Sequence, residues 1–107
     1  MALTLQQDQG PLDRALGAAV LSAIPPTWSS CVLHADETRD AAGATISISL
    51  GSPGSEGLGL VTAALTDAVR ALFRLYDRHG HSLRAIEYVY SRQADGRWAF
   101  QGNYTYR

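Results

Sequence analysis

A chain of 107 residues, 46% hydrophobic and 18% charged, has room for one core but not two, so residues 1–107 read as a single domain. The formal net charge is −1, and all nine basic residues are arginine; with no lysine, a phosphate-loop NTPase lysine and Schiff-base chemistry are excluded. No apolar run approaches the ~20 residues of a membrane span, the N-terminal stretch lacks signal-peptide features, and Cys31 has no intrachain partner, so a cytoplasmic protein without a membrane partner is expected.

Residues 11–24 read as a first helix. Leu12, Leu16, Val20 and Ile24 recur every fourth residue, and Pro11 suits a first helical position. Pro25-Pro26 stops the helix, because proline cannot donate the next hydrogen bond. In 28–35, Cys31, Leu33 and Ala35 alternate with Trp28, Val32 and His34, the pattern of a strand. The stretch 36–43, DETRDAAG, then reads as a polar connection. Residues 44–50, ATISISL, form the cleanest strand, with Ile46, Ile48 and Leu50 facing one way. Four glycines in 51–59, GSPGSEGLG, indicate a flexible turn; a phosphate cradle would need a lysine that the chain lacks.

Residues 60–79 carry the strongest helical stripe, built from Val61, Leu65, Ala68, Val69, Leu72 and Tyr76 with Phe73 at its edge. Gly80 is placed to cap it. Two strands follow, 83–92 and 97–106, joined through QADG, whose Asp95-Gly96 pair signals a hairpin because both residues tolerate positive φ. In the last strand Trp98, Phe100, Tyr104 and Tyr106 share a face. They are expected to pack under the helices against Leu16, Val20, Leu65 and Leu72. The predicted fold is α+β and two-layered, in the order α-β-β-(β)-α-β-β. It has an antiparallel sheet of four to five strands with two helices on one face, any fifth strand falling near residues 51–60.

No set of residues demands an enzyme. His34, His79 and His81 lack the i, i+4 spacing of a helical zinc site, so neither a metal nor a cofactor is expected. Cys31 lies on an apolar strand face and reads as a small core residue. Arg70, Arg74 and Arg78 share a helical face, but Asp67 and Asp77 dilute it. A nearly neutral domain lacks the field of a nucleic-acid binder, so direct nucleic-acid binding is not expected.

Three segments, in order, carry a family resemblance. AIPPTWSSCVLHAD resembles the helix, Ile-Pro-x-x-Trp and strand opening of the YezG-like family of bacterial immunity proteins, the EsaG-type antitoxins. LVTAALTDAVRALFRLY stands where that family has its second helix, and DGRWAFQGNYTYR resembles its aromatic final strand ending in Tyr-x-Tyr. The resemblance runs from about residue 12 to 107. It carries over Ile24, Pro25, Trp28, Gly96, Trp98, Phe100, Tyr104 and Tyr106, all mainly as fold-defining residues. It implies a non-enzymatic cytoplasmic protein that binds and neutralises a cognate toxin, in several members a nuclease, by stoichiometric occlusion. The chain departs from the family in its shortened 51–59 segment, its near-neutral charge and its final Arg107, so the toxin need not be a nuclease. A small secretion chaperone for an effector protein is the alternative, although such chaperones usually end in a helix.

The near-zero net charge hides an asymmetry: residues 1–69 sum to −5, from two arginines and seven acids, and residues 70–107 to +4, from seven arginines and three acids. A basic toxin would be met by acids on accessible elements. The candidates are Asp36, Glu37 and Asp40 in the first inter-strand connection and Glu56 in the glycine-rich loop; the same four also fit ordinary solvated charges.

Overall fold

The computed structural model describes residues 5–52 and 61–107. Among these residues six elements follow one another: α1 (Leu5–Ala23), β1 (Ser30–Asp40), β2 (Gly43–Gly51), α2 (Ala63–Arg78), β3 (Leu83–Arg92) and β4 (Trp98–Tyr106). The four strands form one antiparallel sheet in the order β2-β1-β3-β4, and both helices lie on one face, so the fold is α+β as expected. The optional fifth strand, Leu60 and most of the glycine-rich segment lie outside the described residues.

Cross-strand register sorts the side chains. Leu33 stands opposite Leu50 on one side and Tyr88 on the other, and Ala35 opposite Ile48 and Ile86. These residues point at the helices and meet Leu16, Val20, Leu65, Val69 and Leu72, all essentially inaccessible to solvent. Residues one step along each strand face the opposite way, where no element of the described chain covers them.

Helix α1 begins at Leu5, six residues before the expected start, and Pro11 sits inside it. The early turns are held by tertiary contacts rather than propensity: Gln9 is buried among three tyrosines, and Asp8 lies 3.2 Å from His79. Helix α2 begins after Thr62, whose hydroxyl accepts from the Leu65 N–H at 3.1 Å. It ends in a Schellman arrangement, with Gly80 at φ 78°, its N–H bonded to Asp77 O and that of His81 to Tyr76 O.

One further expectation needs correction. DETRDAAG is not mainly a connection, because β1 runs through Asp40 and only Ala41-Ala42 link it to β2. Pairing of Asp36, Glu37, Thr38 and Arg39 with β2 carries this polar stretch into the sheet. In the β3–β4 turn only Gly96 has positive φ. Its N–H bonds back to Gln93 O while the Arg97 N–H donates to Asp95 Oδ1, so the hairpin forms but uses the positive φ that both residues tolerate at the glycine alone.

Candidate functional site

The four expected partner-binding acids do not form one patch. Asp36 and Glu37 are neighbours in β1 and therefore point to opposite faces. Glu37 turns to the helix side, where its side chain is 8% exposed. There it accepts from Arg39 Nε at 2.7 Å and from the Arg107 guanidinium at 3.3 Å. Arg107 also bonds the Glu37 carbonyl at 2.7 Å, and Arg39 reaches Asp77, so Glu37 is the centre of a structural charge cluster. Bonded to Glu37 first and facing Asp77 as well, the Arg39 guanidinium has its pKa raised. Asp40 accepts from the Ala42 N–H at 2.8 Å and shapes the hairpin. Glu56 lies outside the described residues. Asp36 alone among the three described acids faces the uncovered side away from such bonding, 3.5 Å from His34 Nε2.

That uncovered side is the open face of the sheet. Ser47 and Ser49 of β2, Glu87 of β3 and Gln101 and Asn103 of β4 alternate with the core-facing residues and share it with His34 and Asp36. Val32 and Val89 pair across its two inner strands. A shallow depression of about 360 Å³ bears His34, Asp36, Thr38, Arg84, Ala85 and Thr105 on its walls. Acids thus outnumber the one arginine, Arg84, at this side. The face is polar, wide and nearly flat, and nothing on it converges on a single point.

The aromatic ladder is only half as expected. Trp98 and Tyr104 pack against the core, but Phe100 is 48% and Tyr106 52% exposed. The cause is position: β4 is the outer strand, beyond the full cover of the helices. The buried aromatics are instead Tyr88 and Tyr90 of β3, an inner strand. Their alternation with Ile86 in IEYVYSR was present in the sequence, but which hairpin strand lies inside is decided by β1–β3 pairing. Among the other carried-over residues, Ile24 and Trp28 pack on the core, and the Pro25 carbonyl accepts from the Trp28 N–H. Arg92 fixes this end of the sheet, bonding the Pro26 and Trp28 carbonyls and lying 5.3 Å over the Trp98 ring.

Sequence reasoning missed a buried polar network that joins α1, α2 and the sheet. Tyr76 donates to Gln9 Oε1 at 2.8 Å; Gln9 Nε2 donates to Tyr104 at 2.7 Å and to Tyr88 at 3.3 Å. Tyr88 donates to Asp13 Oδ1 at 2.6 Å and lies 2.9 Å from the Tyr104 hydroxyl. Gly102 stands opposite Tyr88, and a Cβ there would come within 2.9 Å of that ring and 2.7 Å of the Tyr104 hydroxyl. Burial, then the bond to Asp13, pushes the Tyr88 phenol far above its usual range. Burial first also raises Tyr76 and Tyr90. All three phenols stay protonated, and Tyr76 and Tyr88 act as fixed donors, a role suited to joining layers rather than to taking up protons.

Beside this network, α1 and β4 bound a groove of about 380 Å³ lined by Gly10, Arg14, Gly17, Leu21, Tyr90, Trp98 and Phe100, with Asp13 at its wall. The Tyr90 hydroxyl is buried with no hydrogen-bond partner among the described residues. The histidines are dispersed, His34 with Asp36, His79 with Asp8, and His81 edge-on to Tyr106. Among the described residues no three His, Cys, Asp or Glu side chains gather at metal-binding distance. Burial pushes the Cys31 thiol up to about 11, which suits a core residue and not a thiolate nucleophile. No helix among the described residues is long and apolar enough to cross a membrane. No protein-family model matches the chain, and no curated protein matches it.

Proposed function

We propose that the chain is a cytoplasmic, non-enzymatic immunity protein that neutralises a cognate bacterial toxin by covering it. The observation that supports this most is the open sheet face: extended, polar, weakly acidic, and uncovered by any described element. Strands ~4.8 Å apart and nine residues long at ~3.3 Å per residue give four of them a projected face of roughly 600 Å². With side-chain relief added, this approaches the ~800 Å² per partner of a standard stable complex. Occlusion needs only such a surface and a matching charge, whereas catalysis needs converging groups. Asp36 and Glu87 face outward here, placed to meet a basic toxin; Glu37, tied to Arg39 and Arg107, is reassigned to the scaffold. The motif resemblance points the same way.

The test is a search beside the gene for an encoded toxin domain, followed by survival of cells that co-express the two. Protection is expected, with one-to-one binding of the purified pair. Asp36→Arg combined with Glu87→Arg should slow association, more at low salt than at high. No protection and no complex would remove the immunity proposal. Unchanged association by the folded double variant would keep immunity but remove the open face as its surface.

A further inference from the structure

We infer that the outer edge of β4 is a second interaction surface, which takes an extended acidic segment of a protein partner as an added strand. This goes beyond the open-face proposal and does not rest on it.

Strand β4 is nine residues long and, among the described residues, pairs only with β3. The Gln93 N–H bonds to Arg97 O, which makes 93 and 97 a hydrogen-bonded pair. Alternation from that pair directs the backbone groups of 99, 101, 103 and 105 inward to β3. The N–H and C=O groups of Trp98, Phe100, Gly102, Tyr104 and Tyr106 therefore point out along the free edge. Edge strands in natural sheets are usually short, interrupted by proline, or bulged where they are exposed. The register shift in this ladder lies at Leu83 and Ala85 on β3, and β4 contains no proline and no lysine.

An added strand would also place side chains in the groove described above. Half-exposed Phe100 and exposed Leu21 wall it, and Tyr90 with its unpartnered hydroxyl lines it too. Gly10 and Gly17 keep that side of α1 free of bulk; the guanidinium of Arg14 lies 3.7 Å from the position of a Cβ on Gly10. The groove would hold one apolar side chain of the guest.

Charge decides between guests. Arg14 has no ion-pair partner among the described residues, and Arg97 is 88% exposed with only a 3.8 Å approach to Asp95. Arg92 and Arg107 stand at the two ends of the β3–β4 pair but reach inward, Arg92 to the Pro26 and Trp28 carbonyls and Arg107 to Glu37, so Arg14 and Arg97 carry the charge offered to the guest. Two copies of this chain joined edge to edge around Gly102 would bring Arg97 beside the Arg107 of the other copy, like against like. An acidic strand has the opposite sign, so it is the better fit.

The experiment uses the full chain, labelled with nitrogen-15, and an acetylated nine-residue peptide with valine at alternate positions and aspartate or glutamate between. Binding should move the amides of Trp98, Phe100, Gly102, Tyr104 and Tyr106 most. Arg14→Ala with Arg97→Ala should weaken it about fivefold or more at low salt. Phe100→Pro removes an outward N–H without touching the β3 bonds and should abolish binding. A peptide N-methylated along one edge should fail on the unaltered chain, which keeps the test valid if that variant does not fold. The inference is overturned by any of three results. The first is no shift at about 1 mM peptide, weaker than any useful complex. The second is equal binding of a peptide with lysine at the acidic positions. The third is a peptide-free dimer that protects the same amides, which would give the edge to a second copy.

Discussion

Replacing Tyr88 with phenylalanine isolates the network that ties the helices to the sheet. The ring stays, stacked on Phe100 at 5.4 Å, and only a wholly buried hydroxyl is lost. That hydroxyl donates to a carboxylate at 2.6 Å, meets the Tyr104 hydroxyl at 2.9 Å and receives a weaker bond from Gln9 at 3.3 Å. A hydrogen bond to a charged group is worth about 1.5–3 kcal/mol. Asp13 is only partly buried and can recruit water, so the expected loss is near the lower half, about 2 kcal/mol. For a domain of this size that is roughly 8 °C in Tm. Urea unfolding should show the drop in midpoint with an unchanged slope, and a cycle with Asp13→Ala should reveal coupling of about 1 kcal/mol or more. Tyr90→Phe is the control. It removes a hydroxyl that is equally buried but unpartnered among the described residues, so it should be neutral or stabilising by up to about 1 kcal/mol. If Tyr88→Phe costs under about 0.5 kcal/mol, or both variants cost the same, the hydrogen bonds are not what holds this interface.

Gly102→Ala should destabilise by about 1–3 kcal/mol in the same assay, since the new methyl meets the Tyr88 ring and the Tyr104 hydroxyl in a filled site. Thr62→Ala should cost about 1 kcal/mol by leaving the Leu65 N–H without its cap. Alkaline titration tests Cys31, whose folded-state pKa of about 11 exceeds its ordinary 9.0. The unfolded chain loses this proton first, so the stability is full below pH 9 and declines as pH rises through about 11. The loss is on the order of 3 kcal/mol, and Cys31→Ala should flatten the early part of that slope.

Side-chain period was enough to place all six described elements in the sequence, because Ile46, Ile48 and Leu50, or Leu65, Val69 and Leu72, can be satisfied by one secondary structure only. β1 was cut short because its second half, Asp36–Asp40, is polar on both faces. Its inward residues, Glu37 and Arg39, are held by charges from α2 and the end of β4 that no local pattern reveals. The same long-range pairing split the expected acidic cluster across the sheet. The early turns of α1 escaped notice because Pro11 argues for a helix start, while the counter-argument comes from tyrosines 67 to 95 residues away. Strand order was likewise beyond reach: Tyr88 with Tyr90 and Trp98 with Phe100 carry equivalent alternation, and only the seat of β3 beside β1 makes the first pair core and the second rim.

Cys31 sits near the start of β1, opposite Tyr90 and fully enclosed, and it is the sole thiol of the chain. A disulfide reagent therefore has one target, and it can react only after the helices lift or β1 separates from β3. Reaction rate becomes a clock for that rare excursion. An opening that costs ~5 kcal/mol would slow labelling several thousand-fold relative to the unfolded chain. A partner that grips the sheet would slow the clock further without touching the sulfur, so the untagged protein carries its own gauge of how firmly it is held.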